Sequence, residues 1–213
     1  MDFCFYRPLA AAAAALCFVS HAAAAAPQQE YESIFRSVAE SARRGTPPPP
    51  PPGVVDLAWR NLSPPGYNPA RTLLRLEVGK LDEHQAHPAV MAQIRREWDL
   101  APTVEPPAGK YVRMAAFAVP LDDGKGPVHT AILSPFDGFD IQAPMPPANQ
   151  LMLVTFDRAL SRKETRYPIW VTGKVSLQPV VTRLARVAYR MSDAKWEAYP
   201  YQKYELPPYQ WPR

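Results

Sequence analysis

The stretch Ile169-Trp170-Val171-Thr172-Gly173-Lys174-Val175-Ser176-Leu177 is the clearest β-strand in this sequence of 213 residues. Its branched apolar side chains fall on one face and its polar side chains on the other, as in a half-buried strand. The apolar face comprises Ile169, Val171, Val175 and Leu177. Gly173 lies in the middle, where a glycine commonly marks a bulge or a sharp bend at a barrel corner. The stretch therefore predicts a bent strand.

Four other stretches share this alternation of apolar and polar side chains. They are residues 111–119, 130–134, 151–156 and 184–191. Five strands with a bent member favour a small closed or half-closed barrel of the oligonucleotide/oligosaccharide-binding (OB) type, and a sandwich of two sheets is the alternative. We predict an α+β domain over residues 54–199, built on a five-stranded OB-like β-barrel with one or two flanking helices.

One flanking helix is predicted directly before the strands. Between residues 88 and 100 the apolar side chains recur at helical spacing, and Pro102 follows the last of them. The apolar stripe comprises Val90, Met91, Ile94 and Trp98. This helix belongs to the N-terminal extension of the barrel domain.

Residues 27–53 are predicted to form a separate region. Apolar positions at helical spacing between Gln28 and Arg44 indicate a short amphipathic helix. The six prolines Pro47–Pro52 indicate a polyproline II stalk, stiff and about 3.1 Å long per residue; a docking ligand for an aromatic groove is the alternative. At the other end, the proline-rich and aromatic tail 200–213 is expected to lie extended over the domain or a partner.

The first 26 residues have the organisation of a secretory signal peptide. Arg7 precedes an apolar stretch from Leu9 to Val19, and small residues with Ala-x-Ala frames follow. The apolar stretch is about a dozen residues long, whereas a transmembrane helix needs about 20. We therefore predict export, cleavage between about Ala22 and Ala25, a periplasmic location, and no transmembrane segment in the mature chain. A lipoprotein acylated at Cys17 is the alternative, although Leu16 is large for that processing site.

The amino-acid composition excludes several structures and classes of function. Both cysteines, Cys4 and Cys17, lie in the signal segment, so the mature chain has no disulfide and no thiolate ligand. With 27 prolines but only 9 glycines, a collagen helix is excluded. The net charge of +4 is well below the clustered excess typical of nucleic-acid binding, and export separates the protein from nucleic acid. We expect no nucleic-acid partner.

The loop between the second and third strands carries the densest sequence pattern. Residues 135–150 read Pro-Phe-Asp-Gly-Phe-Asp-Ile-Gln-Ala-Pro-Met-Pro-Pro-Ala-Asn-Gln. With Val119-Pro120-Leu121-Asp122 before it and Tyr167-Pro168-Ile169-Trp170-Val171-Thr172-Gly173 after it, the sequence from about Met91 to Tyr199 resembles domain of unknown function family 3299. These are exported bacterial proteins without an established activity. The resemblance implies an accessory role in the cell envelope, beside ABC-type transport systems.

We expect this loop to be the main contact surface, because prolines reduce the entropy that a loop loses on binding. The predicted contact residues are Pro135, Phe136, Asp137, Gly138, Asp140, Gln142, Pro144, Pro146, Pro147, Asn149 and Gln150.

Two places in the sequence are candidates for metal binding, the loop at 140–142 and the pair His84 and His87. Similar proteins usually carry Cys and His two residues apart in the loop, which implies a zinc or copper site, but this chain has Asp140 and Gln142 there. His84 and His87 are three residues apart and would share a helix face, although Pro88 disfavours a helix at that point. We therefore predict no cofactor, and metal handling through the two histidines remains the alternative.

Two groups of charged residues have both functional and ordinary interpretations. Asp122, Asp123, Asp137 and Asp140 could be paired carboxylates of a hydrolase. The Asp-Asp-Gly-Lys-Gly sequence at 122–126 is also typical of a tight turn, which we favour. Arg183, Arg186 and Arg190 could form an anion-binding face, or simply a charged surface that protects a strand from aggregation.

The function predicted from the sequence is a non-enzymatic binding or adaptor module of the cell envelope. It would work with an envelope protein as partner, as an accessory to an ABC-type transport system. A periplasmic metal-handling protein for zinc or copper, and a hydrolase that uses the aspartates, are the alternatives.

Overall fold

The predicted bent strand forms part of a six-stranded sheet in a computed structural model of the chain. The structure describes residues 45–78, 88–122, 124–136 and 145–204, which lie within one unit that spans Arg44–Arg213. The strands are β1 (Val54–Asp56), β2 (Tyr111–Pro120), β3 (Val128–Ser134), β4 (Met152–Leu160), β5 (Ile169–Val181) and β6 (Arg186–Ala198). The helices are α1 (Ala70–Arg75) and α2 (Pro88–Asp99), with short 3-10 helices at Trp59–Leu62, Ala148–Gln150 and Glu164–Arg166.

Five of the strands close into a barrel. The sheet order is β1-β2-β3-β4-β6-β5, and β2 also pairs with β5 along residues 111–116. The β4–β6 pair is parallel, and the other barrel pairs are antiparallel. β1 adds a short parallel strand to the beginning of β2. The predicted small five-stranded barrel in an α+β domain is confirmed.

The barrel interior is filled by alternate side chains of every strand. In β2 the inward residues are Val112, Met114, Ala116 and Ala118, all of them buried. Tyr189 of β6 is fully buried as well, and its hydroxyl lies 2.8 Å from the carbonyl oxygens of both Leu62 and Val104. The segments before β2 are thereby fastened to the barrel.

The predicted bend at Gly173 coincides with a bulge. The β5–β6 register shifts between Thr172 and Lys174, while Gly173 still pairs with Val112 on β2. A Cβ atom at Gly173 would lie 2.6 Å from Cγ of Met191 and 2.7 Å from the backbone oxygen of Ser192. Only glycine allows β6 to approach this closely, so the bulge prediction is confirmed with its steric cause.

The prolines before β1 lie against the barrel. We call residues 45–52 the proline strap. Gly45 donates its N–H to the carbonyl of Lys203 at 2.9 Å, and Arg113 of β2 donates to the carbonyl of Pro48 at 2.8 Å. The strap lies within the barrel unit, and both the buried Arg113 side chain and the backbone of Lys203 hold it. The sequence predicted a stiff stalk here without these contacts.

The helices agree in part with the sequence. α2 occupies the predicted positions and buries Ile94 and Trp98 of its apolar stripe. α1 is an additional short helix that the prolines before it concealed. Glu97 of α2 accepts hydrogen bonds from Thr72 and Arg75 of α1, at 3.0 and 2.6 Å. In the described part of the chain, no helix combines the length and apolarity needed to span a membrane.

The predicted signal segment and the amphipathic helix at 28–44 lie outside the described residues, as do residues 205–213 of the tail.

Candidate functional site

An apolar pocket opens where the β4–β5 connection meets the end of β6. Its volume is about 290 Å³. We call it the tyrosine pocket; it is lined by Lys163, Glu164, Tyr167, Pro168, Ile169, Trp196, Ala198, Tyr199 and Tyr201. The segment 199–201 is held to the β4–β5 connection by the N–H of Tyr199, which donates to the carbonyl of Pro168 at 3.2 Å. Strand closure thus brings together two segments that are some thirty residues apart in sequence.

The walls of this pocket are aromatic rings in fixed positions. Tyr167 and Tyr201 stack with their centroids 5.6 Å apart and an angle of 12° between their planes. Trp196 donates its indole N–H to the carbonyl of Arg158 at 2.7 Å, and the Arg158 guanidinium lies 3.9 Å from the centre of its ring. Such contacts hold the rings before any ligand arrives, which lowers the entropy cost of binding.

The charged rim of the pocket is asymmetric. Ser161 and Glu164 form a capping box at the 3-10 helix, in which the Ser161 N–H donates to the Glu164 carboxylate at 2.6 Å. This hydrogen bond lowers the pKa of Glu164 below its ordinary value. Lys163 is exposed and has no ion-pair partner among the described residues. The described part of the rim therefore offers a cation and phenolic hydroxyls, while the Glu164 carboxylate already accepts a hydrogen bond.

Ring contacts link the pocket to the arginine that binds the proline strap. Tyr199 lines the pocket and also packs on Trp170, with centroids 4.8 Å apart. The guanidinium of Arg113 lies 4.2 Å from the centre of the Trp170 ring. Arg113 also contacts the Asp56 carboxylate at 2.8 Å and the Pro48 carbonyl at 2.8 Å. One row of aromatic and cationic groups thus runs from the strap to the open pocket.

The predicted contact loop is described only at its two ends. Pro135, Phe136 and Pro146 are half-buried and Pro147 is buried, while Asp137, Gly138, Asp140, Gln142 and Pro144 lie outside the described residues. The loop remains a predicted contact surface.

Asn149 and Gln150, at the end of the loop, have an internal position. Both side chains are fully buried. Asn149 donates to the carbonyl of Pro102 at 2.7 Å, and Gln150 donates to the hydroxyl of Ser63 at 2.7 Å. Burial removes both side chains from contact with a partner. They hold the loop end against the segments before β2, which corrects their assignment as contact residues.

The outer face of β3 and β4 is covered by the protein's own side chains. Ile132 and Leu153 point away from the barrel interior, yet they are buried in a second apolar cluster. Leu121, Met145 and Leu184 pack against this cluster from the surrounding loops. In OB-type barrels this face and the loops beside it commonly bind oligonucleotides or oligosaccharides. Here apolar side chains occupy it.

The three arginines of the predicted anion-binding face differ in their surroundings. Arg183 donates to the carbonyls of Leu121 and Asp122, at 2.7 and 2.6 Å, and so ties the β5–β6 turn to the end of β2. Arg190 is exposed and Arg186 is half-buried on β6. An anion would have to compete with backbone carbonyls for Arg183, so only the other two remain available as predicted.

The carboxylate of Asp122 is engaged in contacts with neighbouring groups of the protein. Its carboxylate pairs with Arg162 and accepts the N–H of Gly124 at 3.1 Å, and Gly124 has a φ of 86°. These contacts are those of a tight turn, and the hydrogen bond from Arg162 lowers the pKa of Asp122. These contacts support the turn interpretation for Asp122. Asp123, Asp137 and Asp140 lie outside the described residues.

The histidine pair is not placed either, since His84 and His87 lie outside the described residues. Within residues 45–78, 88–122, 124–136 and 145–204, no group of three potential metal ligands comes together.

The tyrosine pocket itself was missed at the sequence level. Tyr201 belongs to the aromatic tail that the sequence marked for binding, but Tyr167 and Trp196 were assigned no role. A proline flanked by tyrosine and tryptophan at 167–170 was the available signal. It was insufficient, because only barrel closure shows which aromatic residues meet.

The fold and this pocket define a small barrel protein with an aromatic pocket. The sequence model of the family described as protein of unknown function (DUF3299) matches residues 59–198, and the chain belongs to this family. A crystal structure of a DUF3299 family protein from Pseudomonas aeruginosa is similar to this chain, with 26% sequence identity and a TM-score of 0.50. The similarity covers 72% of this chain and 99% of that protein. Among curated proteins, none matches. The family resemblance expected from the loop and strand motifs is confirmed.

Proposed function

We propose that this protein is an exported, periplasmic binding module that recognises an envelope protein through the tyrosine pocket. The proposal includes a non-enzymatic role, as an accessory to an ABC-type transport system. The observation that carries it is the pocket: a preformed apolar cavity whose walls are stacked aromatic rings. Apolar pockets with a few fixed polar groups are the usual form of a binding site.

Two further observations support a binding role. Tyr167 is 44% exposed although it is a large aromatic residue at the pocket rim, and exposed aromatic groups that gather at one place mark interaction sites. The signal-like sequence at 1–26 supports a partner in the envelope.

Site-specific photo-crosslinking in cells of the natural host tests this proposal. A photoreactive residue at position 167 is expected to give an adduct with one envelope protein, recovered from the periplasmic fraction. The same residue at Val181, which is 71% exposed and lies at the far end of β5, is the matched control. The adduct at 167 should weaken when Tyr201→Ala removes the stacked ring. Equal labelling from both positions, or no adduct at position 167, would contradict the proposal.

A further inference from the structure

We infer that the tyrosine pocket binds a proline-rich segment of its partner in the polyproline II conformation. This inference rests on the proposed function, because it names the ligand class of the same site. It is argued from the way in which the barrel already holds a proline-rich segment of its own chain.

The proline strap shows the period of a polyproline II helix in its burial. Pro47 and Pro50 are half-buried, whereas Pro48, Pro49, Pro51 and Pro52 are exposed. A polyproline II helix has three residues per turn, so residues three apart lie on one face. The barrel surface therefore contacts one face of such a helix, which is how proline-recognition domains bind their ligands.

The polar contact to the strap matches the chemistry of proline. A proline residue has no N–H, so a run of prolines offers carbonyl acceptors and no donors. The barrel supplies a matching donor. The side chain of Arg113 is only 9% exposed and donates to the carbonyl of Pro48 at 2.8 Å. Trp170 lies beneath this guanidinium, with its ring centre 4.2 Å away. A buried donor that rests on an aromatic ring thus already binds a proline carbonyl in this fold.

The open pocket also places donors beside aromatic rings, here at an exposed rim. Tyr199 connects the two places, since it packs on Trp170 and lines the pocket. Tyr167 and Tyr201 provide the aromatic walls. Their hydroxyls have no hydrogen-bond partner among the described residues, and the Lys163 ammonium adds a further donor at the rim. The link through Tyr199 and Trp170 to the arginine that binds the strap is what favours a proline-rich ligand here.

The same polar groups argue against a sugar as the ligand. A saccharide presents many hydroxyl donors, and its recognition needs several acceptors around the ring. Among the described residues that line the pocket, Glu164 is the one carboxylate, and it already accepts the N–H of Ser161 at 2.6 Å. The pocket volume of about 290 Å³ is at the lower end for ligand sites, which suits one or two proline rings.

Peptide binding to the purified full chain tests this inference. The probe is a fluorescent peptide with the sequence of residues 45–56, Gly-Thr-Pro-Pro-Pro-Pro-Pro-Pro-Gly-Val-Val-Asp. We expect saturable binding in fluorescence anisotropy, and no binding of a control peptide in which glycine replaces the six prolines. Tyr201→Ala should weaken binding about tenfold, since it removes apolar contact and a stacked aromatic pair.

Three variants, Tyr111→Ala, Tyr201→Phe and Arg113→Ala, show which surface the probe uses. Tyr111→Ala removes another exposed tyrosine, on β2, and should change affinity less than twofold. Tyr201→Phe keeps the ring, so it should retain binding and controls for misfolding of the alanine variant. If binding depends on Arg113 and not on Tyr167 or Tyr201, the probe has displaced the strap, and the inference is overturned.

Other outcomes would also overturn it. Tighter binding of a peptide with the sequence of residues 205–213 would assign the pocket to the chain's own tail. Equal binding of the glycine control, or binding of chito-oligosaccharide and not of the proline probe, would assign a different ligand class. If the probe fails while the crosslink at position 167 persists, the proposed function stands and only the ligand class is refuted.

Discussion

Gly173 determines how closely β5 and β6 can approach at the bulge. The missing side chain leaves room for Met191 and for the backbone of Ser192, both within 3 Å of where a Cβ would lie. The sequence pointed to this residue because a glycine inside an otherwise regular strand is rarely neutral. The bulge follows from one missing methyl group.

Gly173→Ala is therefore expected to destabilise the fold. The new methyl group would clash with a flexible side chain and with a fixed backbone oxygen, so the free energy of unfolding should fall by about 2–3 kcal/mol. Urea denaturation followed by tryptophan fluorescence measures this change. Adding Met191→Ala should not restore stability, because the Ser192 oxygen remains in place and a cavity is created.

Thr172→Ala is the matched control for this substitution. Thr172 precedes the glycine and is half-buried on the outer face, so its loss should change stability by less than about 0.5 kcal/mol. A Gly173→Ala variant as stable as this control would show that β6 can move away freely, contrary to the steric argument.

The prediction that Asn149 and Gln150 are exposed contact residues was wrong. Polar side chains in a proline-rich loop suggest an exposed contact surface, yet here they are fully buried and hydrogen-bonded to segments more than 40 positions away. Such partners are fixed by the tertiary fold alone. Local sequence could not have identified them.

At the scale of elements, the five barrel strands and α2 could be predicted because their burial follows the period of their own residues. β5 and β6 continue further than predicted, to Val181 and Ala198. β1 and α1 were missed, since each is short and depends on packing against β2 or α2. The proline strap was predicted as a stiff stalk, because its sequence shows its stiffness but not the Arg113 donor that binds it.

Arg183 connects two loops at one end of the sheet. The β5–β6 turn is closed by Thr182, whose hydroxyl accepts the N–H groups of Leu184 and Ala185. From this turn Arg183 reaches the carbonyls of Leu121 and Asp122. The contact keeps Leu184 and Leu121 on the apolar cluster over β3 and β4.

Arg183→Ala should release this end of the hairpin. We expect a loss of about 1 kcal/mol in the free energy of unfolding, because the hydrogen bonds are charge-assisted but exposed. Amide hydrogen exchange should rise at residues 121–126 and 182–185, and not elsewhere in β5. Arg190→Ala, on the exposed face of the same strand pair, is the control and should leave exchange unchanged. If amide exchange at residues 121–126 and 182–185 is the same in Arg183→Ala as in Arg190→Ala, the apolar cluster alone holds the loops.

At the scale of the whole molecule, closure of the sheet decides where function can lie. It covers the outer face of β3 and β4 and creates an aromatic pocket from the β4–β5 connection and the end of β6. Neither the covered face nor the pocket can be predicted from the sequence of one strand. This explains why the fold class could be predicted from the sequence while the tyrosine pocket could not.

The free energy of unfolding is expected to fall at both ends of the pH range. Ion pairs determine the acid end. Hydrogen bonds from arginine lower the pKa of Glu97 and of Asp122, and one from Lys174 lowers that of Asp193. A carboxylate with a lowered pKa in the folded state stabilises the fold above its unfolded pKa. That contribution disappears as the pH falls through the folded pKa. The acid limb should therefore begin below about pH 4.5.

Tyr67 contributes to the alkaline limb, because its pKa is raised from 10.0 to about 12 by burial and by the charge of Glu97. Burial also raises the pKa of Tyr189, and a hydrogen bond to Asp193 raises that of Lys174, so both contribute with the same sign. A raised pKa reverses the sign: above pH 10 the unfolded chain loses the phenolic proton that the folded chain retains, so stability falls as the pH rises towards 12. Tyr67→Phe removes this proton from both states and should make the alkaline limb shallower. Asp122→Asn should make only the acid limb shallower, so each variant is the control for the other. Urea denaturation between pH 3 and 11 measures both limbs, and an alkaline limb unchanged in Tyr67→Phe would refute the assignment.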